Sequence, residues 1–271
     1  MNFLRAWLLK KRKSRLERAL SEYPPFDPPQ KVEERLLSRA EAAENFDYFM
    51  RVRLDRLAYF RTWIDQRFGF KISLDESGVR ELSRWGNEYA GFLLLKGPDG
   101  HPTSSYFDYD PPWTGENVGL NVLFDMGIAL GEAIIANCPK IHWDIDPVSA
   151  LLPATAKLLK QTSGTSFQRP SLTGFDNPAY EVMPLHRTYL FAARMMRSTT
   201  TVGGARRFHQ LHKRQRRRIC DQLIDHFNET LRNYPKGDPS GLRQELGDDA
   251  YLKLVDSESR AESLDQENTD E

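Results

Sequence analysis

Residues 116–138, which read ENVGLNVLFDMGIALGEAIIANC, restrict the fold of this chain more than any other stretch. Val118, Val122, Leu123, Met126, Leu130, Ala133 and Ile134 lie on several sides of a helical wheel, and Leu120, Phe124, Ile128 and Ile135 fill much of the rest. A helix that is apolar nearly all round must be covered on more than one face. Such a run of about 20 residues spans about 30 Å, the thickness of a bilayer interior. Asn121, Asp125 and Glu132 interrupt it, and acids at the centre of a bilayer are costly, so the run reads as a core helix and not as a transmembrane span. Gly127 and Gly131, one turn apart beside Ala133 and Ala136, let another element approach closely. Asn137 and Cys138-Pro139 end the helix, because proline biases its predecessor out of the α region.

The pattern around this helix predicts a helix-rich α+β fold with a small antiparallel sheet, a long N-terminal helix and a basic C-terminal helix. Residues 31–68 read as one long helix or two end to end, with Leu36, Leu37, Ala40, Ala43, Phe46, Phe49, Met50, Leu54, Leu57, Phe60 and Ile64 at helical spacing, ended by Gly69. Residues 70–74 (FKISL) alternate as a short strand, and Asp75 and Ser77 are N-cap candidates for a helix over 79–95. A turn at 97–100, a strand at 104–110 and a loop at 111–115 lead into the core helix. After it, residues 141–146 (IHWDID) form a strand, 148–161 a helix, and 167–182 one or two short strands. Pro184 suits the first turn of a helix over 185–196, residues 199–204 read as a hinge, and 205–234 form one helix. Residues 31–234 are thus expected as a single domain.

Its net charge of zero is a cancellation. Residues 238–271 hold eleven acids against Arg243, Lys253 and Arg260, leaving −8 there and +8 on the other 237 residues. Residues 235–271 are acidic, serine-rich and poor in aromatics, the composition of a disordered tail. Residues 1–30 combine Phe3, Leu4, Trp7, Leu8 and Leu9 with Lys10, Lys11, Arg12 and Lys13, followed by a proline-rich stretch at 23–29 that reads as an extended spacer. The apolar part is too short for a secretory signal and precedes its basic residues, so residues 1–20 read as an amphipathic segment able to make peripheral membrane contact. Arg206, Arg207, Lys213, Arg214, Arg216, Arg217 and Arg218 form the densest cationic cluster, with no acid among them. It fits a protein partner, the acidic tail, or nucleic-acid phosphates, whose affinity would be salt-dependent. Two cysteines without metal-type spacing give no disulfide framework and point to a reducing cytoplasm.

Chemistry is sparse. Alternation places His142, Asp144 and Asp146 on one strand face; with Glu132, or Asp125, nearby they form a candidate divalent-metal set. His186 has no nucleophile motif beside it and reads as structural. There is no G-x-S-x-G, P-loop, dinucleotide fingerprint or H-E-x-x-H, so no cofactor is expected.

Trp85, the Gly127–Gly131–Glu132 segment and Trp143, with Pro170 and Pro184 downstream, resemble a loosely defined set of bacterial α+β domains of unknown function. Some of those domains are linked to immunity and interaction roles, so the resemblance implies a cytoplasmic interaction module without enzymatic activity. Association with nucleic acid through residues 205–218 is the alternative, and a metal-dependent hydrolase using Glu132, His142, Asp144 and Asp146 the third reading.

Overall fold

The structure, a computed structural model, describes residues 2–97, 102, 111–145, 166–177, 180–199 and 213–237. The strand expected at 104–110, the helix at 148–161, Asp146, Arg206, Arg207 and the acidic tail from 238 on lie outside the described residues. The fold is helix-rich α+β: α1 (Asn2–Leu20), α2 (Arg39–Phe68), α3 (Glu76–Tyr89), α4 (Gly119–Asn137), β1 (His142–Ile145), β2 (Pro170–Thr173), α5 (Pro184–Thr199), α6 (Lys213–Cys220) and α7 (Gln222–Asn233). Helix α4 is the centre. It contacts α2, α3, α5 and α7, and every residue from Asn121 to Ile134 is buried. By length and composition the stretch Gly115–Asn137 could cross a membrane, but 83% of its most apolar window is buried inside the protein.

What covers α4 is set by its polar residues. Asn121, Asp125 and Glu132 are spaced i, i+4 and i+11, which places all three on one stripe of a 3.6-residue helix. The segment after α1 and helix α2 lie on that stripe. Asn121 Oδ1 accepts the Phe26 N–H at 2.7 Å, and its Nδ2 donates to Trp113 O at 2.7 Å. Asp125 accepts Tyr23 Oη–H at 2.6 Å and a two-pronged contact from Arg56, Nε at 2.7 Å and Nη2 at 2.9 Å. Arg56 Nη1 also donates to Pro25 O at 3.1 Å. Residues 23–29 are extended, as the prolines require. Yet Tyr23 and Phe26 are 4% exposed each, so this segment is part of the core and not a spacer. Two turns beyond Asp125, Glu132 Oε1 accepts from Arg53 Nε at 3.0 Å and Trp143 Nε1 at 2.8 Å.

The sheet is two strands, β1 antiparallel to β2, with Trp143 opposite Leu172 and His142 opposite Thr173. Two strands alone are marginal in water, and here Trp143 and Leu172 are buried, with α2 against β1 and α5 against β2. Gly131 makes the approach possible. A Cβ there would sit 2.2 Å from Trp143 Cζ2, inside its van der Waals shell.

Further elements differ from the sequence reading. The helix expected over 79–95 is α3, which ends at Tyr89 and passes into a 3-10 turn, Ala90–Phe92. Helix α2 begins at Arg39, not at 31, because Ser38 and Glu41 form a capping box, and a 3-10 turn, Glu34–Leu36, precedes it. Residues 70–74 are not a strand. No strand runs beside them among the described residues, and side chains satisfy their carbonyls instead: Arg61 Nε donates to Ile72 O at 2.6 Å and Asn137 Nδ2 to Leu74 O at 3.2 Å. The C-terminal helix is broken at Asp221 into α6 and α7, next to the Cys220 carbonyl, which accepts from Asn87 Nδ2 of α3 at 3.3 Å. Other expectations hold: Asp75 caps α3 by accepting from Gly78 N, Gly69 closes α2, and Pro184 opens α5.

The buried pair generates a prediction. Arg56→Met leaves the Asp125 carboxylate without its counter-charge and costs about 3–5 kcal/mol. Arg56→Met with Asp125→Asn removes the stranded charge and costs less than Arg56→Met alone. Urea unfolding followed by tryptophan fluorescence measures both; a double variant less stable than the single would contradict the assignment.

Candidate functional site

The cationic cluster is built from helices at two places in the chain. Helix α1 carries seven Lys or Arg against Glu17 alone, and the eight residues of α6 carry five against no acid. Leu16, Ala19 and Leu20 seat α1 in the core, and Trp63 Nε1 donates to Ala19 O at 3.1 Å. Both helices are then held by consecutive residues at the end of α3. Glu88 pairs with Arg12 of α1 at 3.0 Å, and Asn87 donates to the Cys220 carbonyl that ends α6. The remaining charges on α3 pair within it, Arg80 with Glu76 and Arg84 with Glu81. The end of α3 is thus flanked by the two most cation-rich helices among the described residues.

Lys213, Arg214, Arg216, Arg217 and Arg218 all lie on α6. Arg217 is exposed and pairs with Asp221 one turn on, at 3.0 Å. Exposed pairs of this kind contribute about 0–1 kcal/mol, so Arg217 can exchange Asp221 for another anion at little cost. Arg12 belongs to the basic N-terminal run read in the sequence, but Asn87 and Glu88, which join the two helices, were not singled out: neither is part of a motif, and they lie about 130 and 75 residues from the groups they hold.

The described members of the candidate metal set, Glu132, His142 and Asp144, are not gathered in one place. Glu132 is inside, bound to Arg53 and to Trp143, which is on the opposite face of β1 from His142 and Asp144. His142 is exposed with Nδ1 3.0 Å from Lys140 O, and Asp144 Oδ1 accepts from the Ile145 N–H at 2.7 Å. Asp125 is committed to Arg56 and Tyr23. Among the described residues no group of three or more His, Cys, Asp or Glu is placed to hold a metal ion.

Other perturbed groups are accounted for by packing. Burial pushes Asp125 up to about 6 against the pull of Arg56, so it is ionised at neutral pH. Burial, then the Asp125 charge, holds the Tyr23 phenol well above its usual value, which keeps it a donor. Desolvation lowers His186 to about 4 and His226 to about 3, leaving both neutral at pH 7.

Glu34 is raised to about 7, first by burial and against the opposing charge of Arg169, whose Nε lies 3.2 Å from its Oε2. A cavity of about 20 Å³ adjoins this pair, with Phe49 and Phe124 in its wall. That holds roughly one water, too little for a substrate. Gln168, in a left-handed conformation at φ 56°, donates to Glu34 O at 2.9 Å and Leu37 O at 2.8 Å. The arrangement fastens the 3-10 turn to the start of β2.

No protein-family model, curated protein or solved structure matches this chain.

Glu34 gives a pH prediction. Its ordinary value is 4.5 and its folded value about 7, so the folded state binds this proton more tightly than the unfolded chain does. Its contribution is therefore complete below about 4.5 and is lost as pH rises through about 7. The stability difference between the wild type and Glu34→Gln accordingly moves against the wild type between about pH 5 and about pH 8. Urea midpoints across that range test it, and a difference that is flat or moves the other way overturns it.

Proposed function

We propose that this chain is a non-enzymatic, cytoplasmic interaction protein, with α6 and the part of α1 around Arg12, both held by the end of α3, as the surface that engages an acidic protein partner. The observation that carries the reading is that Asn87 and Glu88, neighbours in sequence, hold α6 and α1 against one helix end. Two cationic elements far apart in sequence are thereby brought to one region. Charge complementarity of this kind sets partner choice and association rate more than it sets affinity. The burial of Asp125, Glu132 and Glu34 in ion pairs fits the same reading, since these acids are used in packing α4, α2 and β2. The acidic residues 238–271 would compete with the partner for the same cations.

The reading is tested by a tagged pull-down from bacterial lysate with and without nuclease, followed by affinity measurement on the captured partner. A nuclease-resistant protein is expected, with binding weakened about tenfold or more by Arg214→Glu with Arg217→Glu, since like charges set against each other at a contact cost several kcal/mol. Removal of residues 238–271 is expected to tighten binding at low salt and to have little effect at high salt. Nucleic acid that co-purifies and disappears on nuclease treatment would transfer the surface to a nucleic-acid role. Binding indifferent to both charge reversals would overturn the reading.

A further inference from the structure

The first three turns of α1 show an inverted pattern. The stripe Leu9, Arg12, Leu16, Ala19 and Leu20 faces the body, half-buried or buried. Away from it, Leu4 is 61% exposed, Trp7 48% and Leu8 42%, three of the seven large hydrophobic residues exposed among the described residues. They stand at i, i+3 and i+4, one row on the outer face of the helix. The row continues into cations. Lys11 Nζ lies 5.1 Å from the centre of the Trp7 ring, and Arg15, one turn further, is exposed with Nε donating to Arg67 O at 3.1 Å. Lys10 is exposed on the flank, while Lys13 lies on the far side of the helix from Leu4 and pairs with Glu17 at 3.5 Å.

We infer that the first half of α1 lies on an anionic lipid bilayer, with Leu4, Trp7 and Leu8 in the headgroup–acyl boundary and Lys10 and Lys11 among the lipid phosphates. This goes beyond the partner surface on α6. The order of residues selects the occupant. A helix bound in a protein's apolar groove continues its anchors to i+7. Here i+7 from Leu4 is Lys11 and i+7 from Leu8 is Arg15, so a hydrophobic groove would have to desolvate two cations. A membrane interface accepts both kinds of residue. Apolar side chains sink about 5–10 Å while lysine stems reach back to the headgroups, and tryptophan favours that depth. A parallel second copy would set Lys11 against Lys11. Burial of Leu16, Ala19 and Leu20 fixes the helix to the body while leaving this row outside.

Full-length protein is co-sedimented with vesicles of phosphatidylcholine alone, and with about a third of phosphatidylserine added. Sedimentation with the anionic vesicles and little with the neutral ones is expected, weakening as salt shortens the screening length. Leu4→Ser with Trp7→Ser and Leu8→Ser, at exposed positions that leave the core intact, should lower partitioning about tenfold or more. Shallow-brominated lipid supplies an independent reading. Of the five tryptophans, Trp63, Trp85, Trp113 and Trp143 are buried, so quenching should come from Trp7 and vanish in Trp7→Phe, which still sediments. No binding to anionic vesicles would overturn the inference. So would binding that the triple serine variant retains, or light scattering that shows a dimer dissolved by that variant. None of these outcomes bears on capture of a partner by α6.

Discussion

The buried contact between Arg56 and Asp125 is the interaction on which the rest of the molecule depends. A charged side chain at the centre of the most apolar helix is expensive, and its cost is offset only if the whole hydrogen-bonding capacity of the carboxylate is used. Arg56 and Tyr23 use it, and each brings its own element. Arg56 positions α2 across α4, and its remaining N–H groups take the carbonyls of Pro24 and Pro25, which have few other partners in an extended proline-rich chain. Tyr23 brings the end of α1. One acid therefore determines where three separate stretches of chain meet, and the clustered rings of Phe26, Trp113 and Phe124 close over the junction.

The same logic recurs at Glu132, where a carboxylate inside α4 recruits Arg53 from α2 and the indole of Trp143 from β1. The two arginines are one turn apart on α2, and the two acids two turns apart on α4. The polar contacts thus act as a register between the helices, while apolar packing supplies most of the driving force. The Gly131 surface then admits Trp143 at a distance that no other residue would permit. Sheet and helix are joined by a hydrogen bond and a steric fit in the same few ångströms.

Much of this was legible in the sequence. The all-round apolar character of α4 announced a buried central helix. Alternation at His142–Ile145 announced a strand, and the helix boundaries at Gly69, Asp75 and Pro184 followed from local backbone chemistry. The use of Asn121, Asp125 and Glu132 was not read, although their spacing on one stripe was available, because the sequence does not say which distant residues will answer a buried polar group. For the same reason Tyr23–Pro29 looked like a spacer: its prolines fix an extended backbone, but its burial depends on Arg56 and Asn121. The strand expected at 70–74 failed on the complementary point, since alternation specifies a face and not a partner. As for the candidate surface, the cations of α6 were visible as composition, but their neighbourhood with α1 rests on Asn87 and Glu88, which no local pattern marks.

The link from Tyr23 to Asp125 also has a meaning in time. The two residues are 102 positions apart. At a synthesis rate of about 5–20 residues per second, the acid follows the phenol by roughly 5–20 s. Helix α1 and the proline-rich stretch therefore exist for seconds before the groove that receives them is made. Over that interval the lysines and arginines keep the helix charged, and the prolines prevent the extended stretch from pairing as a strand. The composition of the first thirty residues is then a solution to delayed assembly as much as to the finished fold.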